Sequence, residues 1–239
     1  MASGRRNWQH HGDVMTISNA INNIQFTSVN IVTFTSNGTY TPPSNLLWCQ
    51  VECMGGGGGS AGCVAPGSNQ VAGGSNGASG SYTKKVYDRS ALTPSVTVTI
   101  GGGGAGGAAG ANNGVAGGNT TFLGMTANGG GGGLTSAAGA TSAAAGGTAN
   151  APSGGDVNIT GNSGYLYNAV FSGGFVFPML VASTTPSILG GSNQGAPLAG
   201  VLYGGGASGA NRWNPGNTGS QAGAAGAAGI VIVTEFLAS

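Results

Sequence analysis

Charge is nearly absent from this chain. Its 239 residues include six Lys or Arg and five Asp or Glu, only 5% charged residues where a soluble domain carries about 25%. With a formal net charge of +1 there is no long-range field to attract nucleic acid or an anionic membrane, so neither partner is expected. So few charges also give poor colloidal protection, which suits a subunit of a large assembly better than a free monomer. Histidine is confined to His10 and His11 in the leading segment. The rest of the chain therefore lacks a histidine base for a nucleophile triad, and a zinc site would need more ligands than His10 and His11 supply. The carboxylates Glu52, Asp88, Asp156 and Glu235 are scattered and do not read as an acid–base pair. Matches to GxGxxG around 101–110 arise by chance in a chain this rich in glycine, no strand–loop–helix unit follows them, and GxxxxGK[ST] does not occur. The expectation is a non-enzymatic protein with no cofactor and no metal.

Long apolar runs are missing as well. The best candidates, Phe175 to Ala182 and Ile230 to Val233, fall short of the roughly 18 to 20 residues of a membrane helix, so insertion into a bilayer is not expected. The opening MASGRRNWQHHGDV has two arginines and no apolar core, which is not the pattern of a signal peptide. It reads either as an anchoring arm or as a non-structural leader ahead of Met15. Cysteine is sparse. Cys49 and Cys53 on one strand would lie ~13 Å apart, beyond the ~4.4–6.8 Å of a disulfide. A Cys53–Cys63 link is open, with buried free thiols as the simpler reading.

What the chain does have is glycine, 52 residues of it, in runs such as Gly55 to Gly59, Gly101 to Gly104 and Gly129 to Gly133. A flexible linker would be polar, but 39% of this chain is hydrophobic, so the runs must be ordered by something. Collagen is excluded because no strict third-residue period holds and there are only nine prolines. Two readings stand for 101–118 and 129–147. Either they form polyglycine II helices, with three residues per turn and every amide bonded to a neighbour, or they are tightly packed irregular loops.

Between the glycine runs the apolar period is two. Strands are expected at Val29 to Thr35, followed by the turn Ser36-Asn37-Gly38, and at Leu46 to Met54, with Leu47, Cys49, Val51 and Cys53 on one face. Others are expected at Ser81 to Tyr87, Ser95 to Ile100 (valines in, threonines out), Asn119 to Leu123, Val157 to Thr160 and Gly229 to Leu237. One short helix is expected at Met15 to Ile24, where Ile17, Ile21 and Ile24 form a stripe suited to oligomerisation or to packing on the domain. The fold class is therefore mainly β: an antiparallel β-sandwich over 29–239 with long glycine-rich loops, preceded by an arm and short helix over 1–28.

Aromatic side chains cluster late in the chain. Phe171, Phe175 and Phe177 are expected in the core. Tyr165, Tyr167, Tyr203 and Trp213 have polar tips that tolerate exposure. With Arg212 they are the candidate receptor-binding residues.

Several segments also form a recognisable series: FTSNGTYTPPSN at 34–45, the strand running into five glycines at 46–59, GSYTKKVYDRSALTPSVTVTIGGGGAGG at 80–107, GNTTFLGMTANGGGGG at 118–133, GGDVNITG at 154–161 and AAGIVIVTEF at 227–236. In this order they resemble the glycine-rich C-terminal domain of bacteriophage tail fibre proteins. The resemblance implies a structural virion protein at the distal tail, extracellular after release. It would be a homotrimer that contacts other tail proteins and binds a host surface glycan or outer-membrane protein. Two departures are evident: only about thirty residues precede the domain, and the aromatic segment 162–189 has no counterpart in the pattern. The rival reading is a self-assembling structural subunit of a glycine-rich extracellular or virion filament.

Overall fold

The computed structural model describes residues 26–178, 183–216 and 218–238. The leader and the expected helix with Ile17, Ile21 and Ile24 lie outside the described residues. Fourteen strands and one 3-10 turn are described: β1 (Phe26–Phe34), β2 (Gly38–Tyr40), β3 (Leu46–Met54), β4 (Val71–Gly73), β5 (Tyr82–Asp88), β6 (Val96–Thr99), β7 (Thr120–Phe122), β8 (Met125–Ala127), β9 (Thr141–Ala144), β10 (Val157–Ile159), β11 (Tyr167–Ser172), β12 (Phe175–Pro178), β13 (Asn211–Trp213) and β14 (Ile230–Ala238). The protein is mainly β with antiparallel sheets.

Alternating β-branched residues build the base. A five-stranded sheet, β1-β14-β3-β5-β10, faces a four-stranded one, β2-β6-β7-β8. On β6, Val96 and Val98 are buried while Thr97 is exposed, the period-two pattern of a half-buried strand. Val51 and Cys53 of β3 and Val231 and Val233 of β14 meet Val98, Phe122 and Met125 across the interior. The Phe122 ring lies 5.7 Å from Tyr40 and 6.0 Å from Tyr87. Burying each such large side chain contributes about 1.5–3 kcal/mol. All three cysteines are free and buried, so no Cys53–Cys63 link forms. Burial, then the nearby Glu235 carboxylate, pushes the Cys49 thiol up to about 11. Burial and Glu52 push Cys53 to about 12. The one buried carboxylate of this core, Glu235, is satisfied by neutral donors: Tyr40 Oη donates to one oxygen at 2.8 Å and Asn30 Nδ2 to the other at 2.7 Å.

One strand face differs from expectation. Leu47 was expected to point inward with Cys49, yet Leu46 is buried and Leu47 is exposed. The β14–β3 register slips between Phe236 and Leu237, so Leu237 faces Leu46 while Phe236 faces Trp48. This bulge exchanges the two leucines between faces.

Beyond the sandwich its strands run straight into glycine. β3 continues as 55–63, and the amides of this segment bond in strict rotation. Gly55, Gly58 and Ala61 donate to the segment 75–81, Gly56, Gly59 and Gly62 to 112–118, and Gly57, Ser60 and Cys63 to 221–227, all at 2.8–3.1 Å. Its carbonyls accept in the same rotation, from Gly104, Gly107 and Gly110, from Gly130 and Gly133, and from Ala207 and Ala210. None of Gly55 to Gly59 adopts a positive φ. A three-residue repeat of outward hydrogen bonds at negative φ is a polyglycine II helix inside a lattice of its own kind. Donor and acceptor neighbours also differ in direction. The segments that accept from 55–63 run antiparallel to it, and those that donate run parallel. The segment 75–81 is a second such centre, each of its seven amides bonded to 128–134, 162–165 or 204–207.

This packing explains the glycines. A Cβ at Gly56, Gly57, Gly58 or Gly59 would overlap a backbone carbonyl oxygen of Gly102, Gly205, Gly131 or Ala105 respectively. Of 101–118 and 129–147, read as either polyglycine II or irregular loops, polyglycine II is found for 101–107, 112–118 and the start of the second segment, with a turn at 109–111 between the first two, and the central helices lie elsewhere, at 55–63 and 75–81. Where serine replaces glycine, its hydroxyl takes a lattice role: Ser60 Oγ accepts from Ala224 N at 2.9 Å and Ser79 Oγ from Asn162 N at 2.8 Å.

Candidate functional site

The bundle fixes where everything else sits. Segments 55–63, 101–110, 128–134 and 204–210 lead away from the sandwich, while 75–81, 112–118 and 221–229 return to it. At about 3.1 Å per residue, the far end near Gly74 and Ala61 lies roughly 20 Å beyond the sandwich. Two small sheets close that end, β13-β4 and β12-β11-β9. The bond from Gly74 N to Ala210 O, at 2.8 Å, joins the start of β13 to the end of β4. β11 and β12 form a hairpin through Gly173 and Gly174, at φ +59° and +84°, with Ser172 opposite Phe175. Two consecutive residues at positive φ make the turn whose twist suits a two-residue hairpin, and glycine adopts it without strain.

A cleft of about 540 Å³ opens between this hairpin and β13. One wall is Tyr165, Tyr167, Phe171 and Phe175; the other is Trp213 with Pro215; and the backbones of Gly74 and Gly209 line its base. Alternation along β11 turns Tyr167, Ala169 and Phe171 to the cleft, and alternation along β13 turns Asn211 and Trp213 to it. The Tyr167 ring lies flat against Gly73, whose missing side chain is the space it occupies. Burial, with Cys63 close by, pushes the Tyr167 phenol up to about 12, so it is a neutral hydroxyl. Asn76 locks the base to the lattice, its Nδ2 donating to Ser183 O and its Oδ1 accepting from Gly209 N at 2.8 Å.

Of the five receptor-binding candidates, the cleft brings together Tyr165, Tyr167 and Trp213. Arg212 is next in sequence but faces the other way. Its Nη1 donates to Asn211 O at 3.3 Å, its Nε is buried without a partner, and its charge tempers the burial that raises the Cys63 thiol. Tyr203 packs with Met54, Tyr82 and Ile230 where the bundle meets the sandwich, at the opposite end from the cleft. The expectation that Phe171, Phe175 and Phe177 are core is corrected for two of them, since Phe175 is 69% and Phe177 54% exposed, while Phe171 is half-buried. The hairpin that carries them sits at the tip, where no second layer covers it among the described residues. Asn76, Asn211, Phe171 and Phe175 were not among the candidates. The Ser-Gly-Gly-Phe turn between alternating apolar residues is the signal that marks the last two.

Among the described residues no cluster of three His, Cys, Asp or Glu is arranged to hold a metal, and no helix is long and apolar enough to cross a membrane. The molecule is thus a β-sandwich and polyglycine II bundle with an aromatic cleft at its tip. It belongs to the glycine-rich domain family, whose model matches residues 33–235. No curated protein sequence matches it.

Proposed function

We propose that this protein is a non-enzymatic adhesin at the distal tail of a bacteriophage, which engages a receptor on the host surface through the cleft at its tip. The observation that carries this reading is the convergence of Tyr165, Tyr167 and Trp213 in one cleft at the end of the bundle. Exposed rings on short connections give large contact area at little entropic cost, and a lattice with its amides bonded holds them in place before any encounter. The resemblance to tail fibre domains supplies the virion setting, with attachment through residues 1–28 and trimerisation through Ile17, Ile21 and Ile24. Three copies would turn weak single contacts into useful avidity. In the test, Tyr165, Tyr167 and Trp213 are replaced together by alanine. Particles that still assemble are expected to lose adsorption to host cells by at least about tenfold, a deficit of about 1.4 kcal/mol. Unchanged adsorption would remove the site.

A second reading is favoured by β1. This nine-residue edge strand, FTSVNIVTF, has no charge and no proline, and it exposes Val29 (50%) and Ile31 (63%). Natural edge strands normally carry charge or proline that blocks pairing with other chains, so a strand of this composition suits a subunit that polymerises. The mass of the assembled species separates the readings: a closed trimer favours the adhesin, and an open-ended polymer the filament subunit.

A further inference from the structure

We infer that the tip cleft binds a neutral saccharide ring; this rests on the reading of the tip as a receptor-binding surface and specifies what the receptor presents there. The first observation is the lining. Apart from the tyrosine phenols it contains no ionisable side chain, and the Tyr167 phenol is neutral at physiological pH. A sulfate, phosphate or carboxylate entering it would lose its hydration with no cation to compensate, because Arg212 faces away from the cleft.

The second observation is that the surfaces are rings with polar tips. Phe175 is 69%, Tyr165 41% and Trp213 37% exposed, and they surround one cavity. The C–H face of a pyranose is apolar and its rim carries hydroxyls, so it matches aromatic walls edged with donors and acceptors. The Asn211 amide and the phenol hydroxyls supply both kinds of partner, whereas Asn76 is committed to the lattice and serves only to hold the base. The third observation is size and rigidity. A cleft of about 540 Å³ falls within the usual range for small ligands and has room for one or two sugar rings. Gly74 and Gly209 belong to the bonded bundle, so the base does not need to be ordered by the ligand. A purely apolar ligand would use the rings and leave the phenols and the Asn211 amide to water.

Saturation-transfer NMR on the full chain tests this with methyl glucoside, methyl galactoside and N-acetylglucosamine. N-acetylneuraminate serves as a charged control and N-acetyltyrosinamide as a mimic of a protein side chain. At least one neutral sugar is expected to bind with a dissociation constant on the order of 1 mM, as a single shallow site allows. Trp213→Ala is expected to weaken it at least about tenfold, Trp213→Phe less, and Val86→Ser on the sandwich not at all. Trp213→Phe keeps a ring in place, so a signal lost only because the tip misfolds in Trp213→Ala is recognised. The inference is overturned if N-acetyltyrosinamide or N-acetylneuraminate binds through Trp213 and no neutral sugar does, or if sugar binding ignores Trp213→Ala. The two readings also fail separately. Loss of adsorption in the triple alanine particle with no sugar bound sinks the saccharide and keeps the receptor site. Normal adsorption with sugar bound keeps the saccharide and sinks the receptor site.

Discussion

A methyl group at Gly57 would overlap the carbonyl of Gly205, whereas one at Gly102 would meet nothing within 4 Å. The two glycines look alike in the sequence, and only their neighbours separate them. Gly57→Ala is expected to destabilise the protein by about 1–3 kcal/mol, because no flexible side chain is present to yield. Gly102→Ala is expected to stay within about 0.5 kcal/mol. Thermal and denaturant midpoints of the two variants check this, and equal effects would mean that close approach does not explain the glycines. At this scale the sequence is legible where chemistry is intrinsic to the residue. Burial of the three cysteines followed from their hydrophobic character, and Tyr165, Tyr167 and Trp213 from their amphipathic rings. Tyr203 has the same ring and Arg212 a polar tip on an apolar stem, yet what they face is decided by segments far away in sequence, such as Ile230 for one and Cys63 for the other.

The elements divide in the same way. β6 was legible because valine alternates with threonine, β3 because Cys49, Val51 and Cys53 alternate with Gln50 and Glu52, and β14 because Ile230 to Val233 is an unbroken β-branched run. The short strands VAG, MTA, TSAA and NRW have no such alternation and are strands only because a partner pairs with them. The polyglycine II helices are an extreme case. Their hydrogen bonds all leave the segment, so nothing within 55–63 announces the turn of three, and for 101–118 and 129–147 the composition alone left irregular loops as the alternative. One outcome follows from the hydrogen-bond pattern. The amides of 55–63 and 75–81, buried and each bonded to a neighbouring segment, are expected to exchange with solvent as slowly as those of β3 and β14. Segment-resolved hydrogen exchange on the intact protein reads this directly, and rapid exchange in 55–63 with a protected β3 would contradict the lattice.

Taken whole, the molecule has two kinds of interior: an oily sandwich core and a lattice nearly free of side chains, with almost no charge on either. Its response to pH should therefore come from neutral groups that resist ionising. Cys49 is raised to about 11 and Cys53, Tyr87 and Tyr167 to about 12, in each case first by burial, and Tyr40 and Tyr82 are raised beyond that. The unfolded chain ionises these groups near 9 and 10. Their contribution to stability is thus complete below about pH 9 and is lost as pH climbs toward about 12. Unfolding midpoints are expected to be flat from about pH 6 to 8 and to fall steadily above about 9, with the thiols inert to disulfide reagents until the protein opens. A midpoint unchanged at about pH 11 would show that these groups are not shielded.

The rotation of bonds by threes constrains how such a chain can change over time. Adding one residue within 55–63 would turn everything after it by a third of a revolution and present each amide to the wrong neighbour. Length changes inside the bundle are therefore tolerated only in whole triplets matched by the adjoining segments. The hairpin and strands at the tip obey no such rule, since they hang from the ends of helices already fixed. Sequence and length can therefore drift at the tip while the shaft beneath it stays frozen.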